Sequence, residues 1–338
     1  MHIVITGGAG FVGARLARTL LQRGTLAVAG GPAQAIARIT LVDRAPAPAD
    51  LAADPRVVAA TGDLNAQLAD AGTTFWSQAD VVFHLAAAVS GECEADFDLG
   101  MRSNFAATHA LLERLRAAGT VPTVVFSSSL AVFGDSPAQP LPPVIGDDTL
   151  PTPQTSYGIQ KFIGEQLMAD YTRKGFVRGR SVRLMTVSVR PGRPNGAASS
   201  FFSGMVREPL AGVRAPCPVP DDTPVALASP ARTVEGILRA AEASDADWGP
   251  RTALNLPSLA TTVGEMAAAL GRVAGPEALA LLDRTPDPAI MRIVKTWPGR
   301  FETPRARALG LASDTSFDDV IRDYVRENPD AVKLAIRA

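Results

Sequence analysis

The stretch HIVITGGAGFVG, residues 2–13, sets strand-forming residues directly before glycines 7, 10 and 13, which lead into an amphipathic run from about Phe11 to Arg23. Strand, tight glycine turn and helix in that order open a dinucleotide-binding βαβ unit. The three glycines permit the turn, close backbone approach to a pyrophosphate, and tight packing of helix on strand. The helix N-terminus adds free N–H groups and a positive dipole end. Outward from this unit, strand-like runs ITLVD, VVAATGD, DVVFHLAAA and TVVFSSS alternate with a helical pattern around Ser103 to Ala118. That grammar is α/β: a Rossmann-type doubly wound parallel sheet. Pro151 and Pro153 then precede a helix capped by Thr155 or Ser156 and stopped at Gly175, and a further strand, RSVRLMTVSVR. After Arg190 the texture changes. Prolines 191, 194, 209, 216, 218, 220 and 224 break the chain, and shorter elements follow, with helices near Val263 to Val273 and Phe317 to Glu327. We therefore expect a dinucleotide-binding domain over residues 1–189, with some return from about 223–250, and a smaller C-terminal substrate-binding lobe over 190–338.

Among 338 residues, 33 Lys and Arg oppose 34 Asp and Glu, a net charge of -1. No bulk field favours nucleic acid or an anionic membrane surface, so any anion must be caught locally. The longest apolar stretch, Val81 to Val89, carries His84 and falls far short of the ~20 residues of a spanning helix. No leader pattern precedes the first strand and only Cys93 and Cys217 are present, which points to a soluble, cytoplasmic chain without a disulfide framework. Of the three histidines, His2, His84 and His109, none belongs to a cluster with metal-ligand spacing, so no catalytic metal is expected. His84 reads as a packed supporting residue, Ser127 and Ser128 as strand residues, and both cysteines as inert thiols.

An acid that holds the adenosine ribose is expected about 20 residues past the glycine turn. Asp43, at the end of ITLVD, fills that role 30 residues past Gly13, with AVAGGPAQAIAR read as a loop inserted before the strand. Asp43 would repel a 2′-phosphate and so favours NAD over NADP; Arg44 beside it argues the other way. Farther along, Tyr157 and Lys161 stand four apart on one helix face. A phenol with a pKa near 10 needs about 4 kcal/mol of differential stabilisation to drop ~3 units, and a nearby ammonium supplies much of it. FSSSLAVFG, residues 126–134, ends a strand at its carboxyl edge, where doubly wound folds bind ligands.

Taken in order, TGGAGFVG, HLAAA, an Asn on the following helix, SSSLAVFG and YGIQK resemble the extended short-chain dehydrogenase/reductases, the group that includes nucleotide-sugar epimerases. The resemblance covers at least residues 2–190. It implies that Ser129 hydrogen-bonds the reacting oxygen, that Tyr157 is the general acid/base, and that Lys161 assists it and holds the nicotinamide ribose. By the same resemblance Gly7, Gly10, Phe11, Val12 and Gly13 meet the pyrophosphate, Asp63 and Leu64 the adenine, and Leu85, Ala86 and Ala87 the ribose side. Asn104 would support the active-site helix and cofactor, and Met185 would touch the cofactor. Helices around 103–118 and 155–174 are the family's pairing surface, which implies a homodimer.

Sugar-nucleotide 4,6-dehydratases carry an acidic pair after the Ser or Thr position; here Leu130 and Ala131 stand there, which disfavours dehydration. The Arg-x-x-Asn segment common in epimerases reads Arg183, Leu184, Met185, Thr186, without its Asn, which puts a large nucleotide substrate in doubt. The second half, from SVRPGRPNGAASSFFSGMVREPLAG to IVKTWPGRFETPRARALGL, is similar to the branch that oxidises D-erythronate, a four-carbon sugar acid, at C2 with NAD. Four arginines against one acid, Glu208, lie between Arg190 and Arg214, a local source of carboxylate donors. Arg207 and Arg232 are nominated for the carboxylate, and Ser90, Thr186 and Ser200, with Ser129 and Tyr157, for the remaining substrate contacts. The alternative is a nucleotide-sugar 4-epimerase with tightly bound NAD, its pyrophosphate held by the same arginines. A cofactor-sensing protein without catalysis is disfavoured, since such proteins tend to lose the Tyr or Lys that this chain retains.

Overall fold

A computed structural model describes residues 1–192 and 196–337. Seven strands form the main sheet: β1 (His2–Thr6), β2 (Arg38–Asp43), β3 (Val57–Thr61), β4 (Val81–His84), β5 (Thr123–Ser129), β6 (Arg178–Leu184) and β7 (Leu254–Asn255). They are parallel throughout and lie in the order β7-β6-β5-β4-β1-β2-β3. The order reverses between β1 and β4, which makes the crevice above their carboxyl ends the ligand-binding position of such a sheet. The principal helices are α1 (Phe11–Arg23), α2 (Ala107–Ala118), α3 (Ser156–Arg173), α4 (Ser200–Leu210), α5 (Pro230–Glu242), α6 (Val263–Leu279) and α7 (Phe317–Glu327). No described helix is long and apolar enough to cross a membrane.

The period of two along each strand divides the apolar residues between two faces. Ile3, Ile5, Phe83, Val125 and Val182 pack with Leu16 and Leu20 of α1 and with Ile237 and Leu238 of α5. Val4, Val82, Val124 and Phe126 pack on the other side with Leu111, Leu112 and Leu115 of α2 and with Met168 of α3. Both faces are covered, so the central strands read as continuous apolar runs. Ala306, Leu309 and Leu311 return from near the C-terminus to the first of these cores. A separate core gathers Phe202, Met205 and Leu210 of α4, Met266 and Leu270 of α6, and Phe317, Ile321 and Tyr324 of α7.

Several elements differ from their sequence reading. The run RSVRLMTVSVR is two strands, not one: β6 ends at Leu184, and Thr186–Val187 joins a three-stranded sheet with Pro224–Ala228 and Leu259–Thr262. The chain thus changes sheets at Met185. DVVFHLAAA is a strand only as far as His84, because the following backbone lifts away over the glycine turn; a Cβ on Gly7 would lie 2.9 Å from the Ala86 nitrogen. The helix read from Ser103 begins at Ala107 and is preceded by a π-helical turn, Met101–Ala106. In the proline-broken region α4 forms regardless, since Pro209 falls in its last turn. The inserted stretch contains a small antiparallel ribbon, Thr25–Leu26 with Gln34–Ala35, and its tip is pinned where Ala29 and Gly30 donate to the Ala241 and Glu242 carbonyls.

Candidate active site

The carboxyl ends of the central strands, the first turns of α1 and α3 and the link between the two sheets enclose a cleft of about 510 Å³, within the range of small-molecule sites. One end is built by the glycine turn. Gly7 and Gly8 donate to the Val42 carbonyl, and a Cβ on Gly13 would fall 2.1 Å from the Gly7 oxygen, so α1 can start this close to β1 only with glycine there. Gly10 caps α1 without a side-chain bond, which leaves the first N–H groups of the helix turned to the cleft. Asp43 accepts from Ala9 N–H and Ala45 N–H, each at 3.0 Å, and this fixes its carboxylate at the rim beside Arg44. An uncapped helix start, a cradle that a Cβ would fill and an acid at the end of β2 together fit NAD. Asp63 also reaches the cleft, where it caps the short helix Leu64–Ala69 through Ala66 N–H.

The other end carries Ser129, Tyr157 and Lys161. Ser129 is the last residue of β5, and its hydroxyl accepts from Ala131 N–H. Thr155 caps α3 by accepting from Gly158 N–H at 3.1 Å, which starts the helix so that Tyr157 lies in its first turn and Lys161 one turn on. The Lys161 ammonium donates to the Ser127 carbonyl at 2.7 Å and sits 5.7 Å from the Tyr157 ring centre. Burial pushes Lys161 down to about 8 and Tyr157 up to about 12. Against that, the Ser129 hydroxyl and the Arg190 guanidinium favour the phenolate.

Buried polar groups brace this end. Glu165, one turn beyond Lys161, accepts two bonds from Arg183 of β6, at 2.9 and 2.7 Å, and another from the Ser128 hydroxyl. Arg183 also donates to Asn255 of β7, whose amide reaches the Gly146 carbonyl. His84 is fully buried between Thr6 and Thr108. Thr108 donates to the Asn104 carbonyl and so accepts from Nε2–H; Thr6, which accepts from Ala86 N–H, donates to Nδ1. The imidazole is thus neutral, and burial holds it down to about 3.

Most residues named from the sequence meet in this one cleft: Gly7, Gly10, Phe11, Val12, Gly13, Asp43, Asp63, Leu64, Leu85, Ala86, Ala87, Ser90, Ser129, Tyr157, Lys161, Met185 and Thr186 line it. Asn104 does not. It stands behind the wall, bonded both ways to the Ala88 backbone and to Gln160. Ser200 lies outside the lining, which Ser199 reaches instead. Neither nominated arginine enters. Arg207 points back into the lobe, donating to the Arg190 carbonyl and pairing with Glu208, and Arg232 pairs with Glu235 on the outer side of α5. Arg193 lies outside the described residues. Among the described residues the arginine at the Tyr157 end is Arg190, joined there by Trp297. Arg190 was visible as one of four arginines, but spacing did not distinguish it, and nothing in the sequence brings Trp297 to the site. Among the described residues no group of three or more His, Cys, Asp or Glu could hold a metal.

Residues 3–225 match the NAD dependent epimerase/dehydratase family. The chain is 51% identical over 329 residues to a D-erythronate dehydrogenase of Cupriavidus necator, covering 97% of this chain and 98% of that one. It is 39% identical to a D-erythronate dehydrogenase of Haemophilus influenzae, covering 96% and 99%. Among solved structures, a nucleoside-diphosphate-sugar epimerase from Agrobacterium tumefaciens superposes with a TM-score of 0.86 at 41% identity, covering 98% of this chain and 95% of that one.

Proposed function

The chain belongs to the NAD dependent epimerase/dehydratase family, and from that premise we propose that it is a cytoplasmic NAD-dependent dehydrogenase that oxidises the C2 hydroxyl of D-erythronate to 2-oxo-tetronate. The observation that carries this reading is the meeting of Ser129, Tyr157 and Lys161 at the end of the glycine-turn cleft, in a chain that matches D-erythronate dehydrogenases over nearly its whole length. Bound NAD supplies the hydride acceptor for the C2 hydrogen. Ser129 hydrogen-bonds the reacting oxygen, and Tyr157, as phenolate, removes the hydroxyl proton. Lys161, held by the Ser127 carbonyl, and Arg190 are the cations that favour that phenolate. His84 takes no part in the proton transfer, because both ring nitrogens are engaged and the ring stays neutral.

The division into a dinucleotide domain over residues 1–189, with α5 returning to it, and a C-terminal substrate lobe follows from this reading. A homodimer through α2 and α3 belongs to it too: Ile159 of α3 is 47% exposed and Phe97, on the adjoining turn Phe97–Gly100, is 61% exposed. The second reading, a nucleotide-sugar 4-epimerase with tightly bound NAD, draws on the name of the Agrobacterium tumefaciens structure. The deciding experiment follows NADH absorbance with NAD and D-erythronate, in parallel with UDP-sugars. Steady NAD reduction by the acid is expected. Silence on every sugar acid, with interconversion of a UDP-sugar and no net reduction of added NAD, would replace the first reading with the second.

A further inference from the structure

One cationic donor at the Tyr157 end of the cleft is left partly without acceptors among the described residues. Arg190 is held by one side of its fork: Nε reaches the Ser203 hydroxyl, and one terminal nitrogen reaches the Ser199 carbonyl at 2.9 Å and the Ser199 hydroxyl at 3.3 Å. Its other terminal nitrogen has no hydrogen bond, and no carboxylate pairs with it, among the described residues. The neighbouring buried arginines behave otherwise, Arg183 pairing with Glu165 and Arg207 with Glu208. A largely desolvated guanidinium without an anion is costly unless a ligand supplies one. Trp297 packs with Leu130 and Met185, next to Ser129, and adds an apolar wall to the same end of the cleft.

We propose that Arg190 is the carboxylate clamp of the substrate. The inference rests on the sugar-acid reading above and sharpens it. In a 2-hydroxy acid the carboxylate is bonded directly to the reacting carbon, so its anchor must lie beside the general base. Arg190 meets that condition: it shares the cleft wall with Tyr157, and its charge acts on the phenol. Backbone held by other groups braces it from behind, as the Arg190 N–H donates to Ser203 and the Arg190 carbonyl accepts from Arg207. Among the described residues Arg190 is the one arginine at the Tyr157 end of the cleft, which suits one carboxylate better than a pyrophosphate, whose two charges call for more donors. The nominated Arg207 thereby keeps a role, as a positioning residue for the clamp.

The test compares wild type with Arg190→Met, first for NAD affinity and then for kcat/KM on D-erythronate and on its uncharged amide. Arg190→Met is expected to bind NAD as wild type does, to lose a modest shared factor on both substrates with the charge that favours the phenolate, and to lose roughly a hundred-fold or more on the acid beyond that shared loss, chiefly through KM. Should Arg190→Met fail to bind NAD, Arg190→Lys carries the same comparison, since it keeps the charge and loses the fork. Equal losses on acid and amide, or an acid kcat/KM little changed from wild type, would overturn the clamp while leaving the dehydrogenase reading intact. A wild type that oxidises no sugar acid would sink both.

Discussion

At the scale of single residues, the proposed chemistry turns on two groups whose ionisation the fold opposes. Tyr157 is pushed up to about 12 and Lys161 down to about 8, both by burial. Alcohol oxidation needs the phenolate, whose population rises with pH; kcat/KM for oxidation should therefore climb nearly tenfold per unit from pH 6 and bend over near pH 8 and above, as Lys161 loses its proton. Tyr157→Phe should lower kcat by about a thousand-fold or more and flatten that climb, while NAD affinity, measured by fluorescence titration, stays at the wild-type value. A variant of near wild-type rate would remove Tyr157 from the role of base. Ser129, Tyr157 and Lys161 were legible in the sequence because each is set by local structure: a strand end, a helix cap, and a spacing of four. Arg207 and Arg232, nominated from the sequence, stand outside the cleft lining for the complementary reason. A charge count identifies an arginine-rich segment, but the direction of each guanidinium depends on acids packed against it, here Glu208 and Glu235.

The elements that carry the site are tied together by the Ser128, Glu165, Arg183 and Asn255 bonds, which link β5, α3, β6 and β7 directly behind Lys161. Both ions of the pair are buried, Glu165 at 3% exposure and Arg183 at 5%. Removing one partner strands the other charge, whereas removing both spares that penalty. Arg183→Met is therefore expected to cost about 3–5 kcal/mol of unfolding free energy, with more than half recovered when Glu165→Met is added, as read from urea denaturation. A double variant as unstable as the single one would show that the network contributes through its geometry and not through charge pairing. The elements themselves were well marked where periodicity ran unbroken: β1, α1, α3 and α7 stand within a residue or two of their sequence bounds. RSVRLMTVSVR was misread as one strand because its apolar alternation continues past Met185, while the partner strands change there from β5 and β7 to Pro224–Ala228.

For the whole molecule, the crossing at Met185 is what joins the two halves of the site. The same run that ends β6 beside Ser129 goes on to supply Thr186 and Arg190 to the cleft lining. Association belongs to this scale as well. In the proposed homodimer a second copy would cover the exposed apolar side chains on α3 and its neighbouring turn, and a stable pair typically buries about 1,600 Å² in total. Ile159→Glu should halve the mass seen by sedimentation velocity without changing the far-ultraviolet circular dichroism. An unchanged mass would mean either that the pairing surface lies elsewhere or that the chain is already monomeric, and the wild-type mass separates the two.

By itself the sequence determined what depends on neighbours along the chain: the strand, glycine turn and helix of residues 2–23, the alternating strands and helices that follow, and the positions of Ser129, Tyr157 and Lys161 at element ends that a doubly wound sheet gathers on one edge. The tertiary structure alone decided which polar groups line the far end of the cleft. Arg190 is turned to the cleft because Ser199 and Ser203 of the α4 segment hold one side of its fork, and Trp297 arrives from more than a hundred residues beyond Met185 to pack against it. Such contacts join parts of the chain with no local relation, so no period or spacing encodes them; they exist only once the two cores have formed and fixed the direction of each side chain between them.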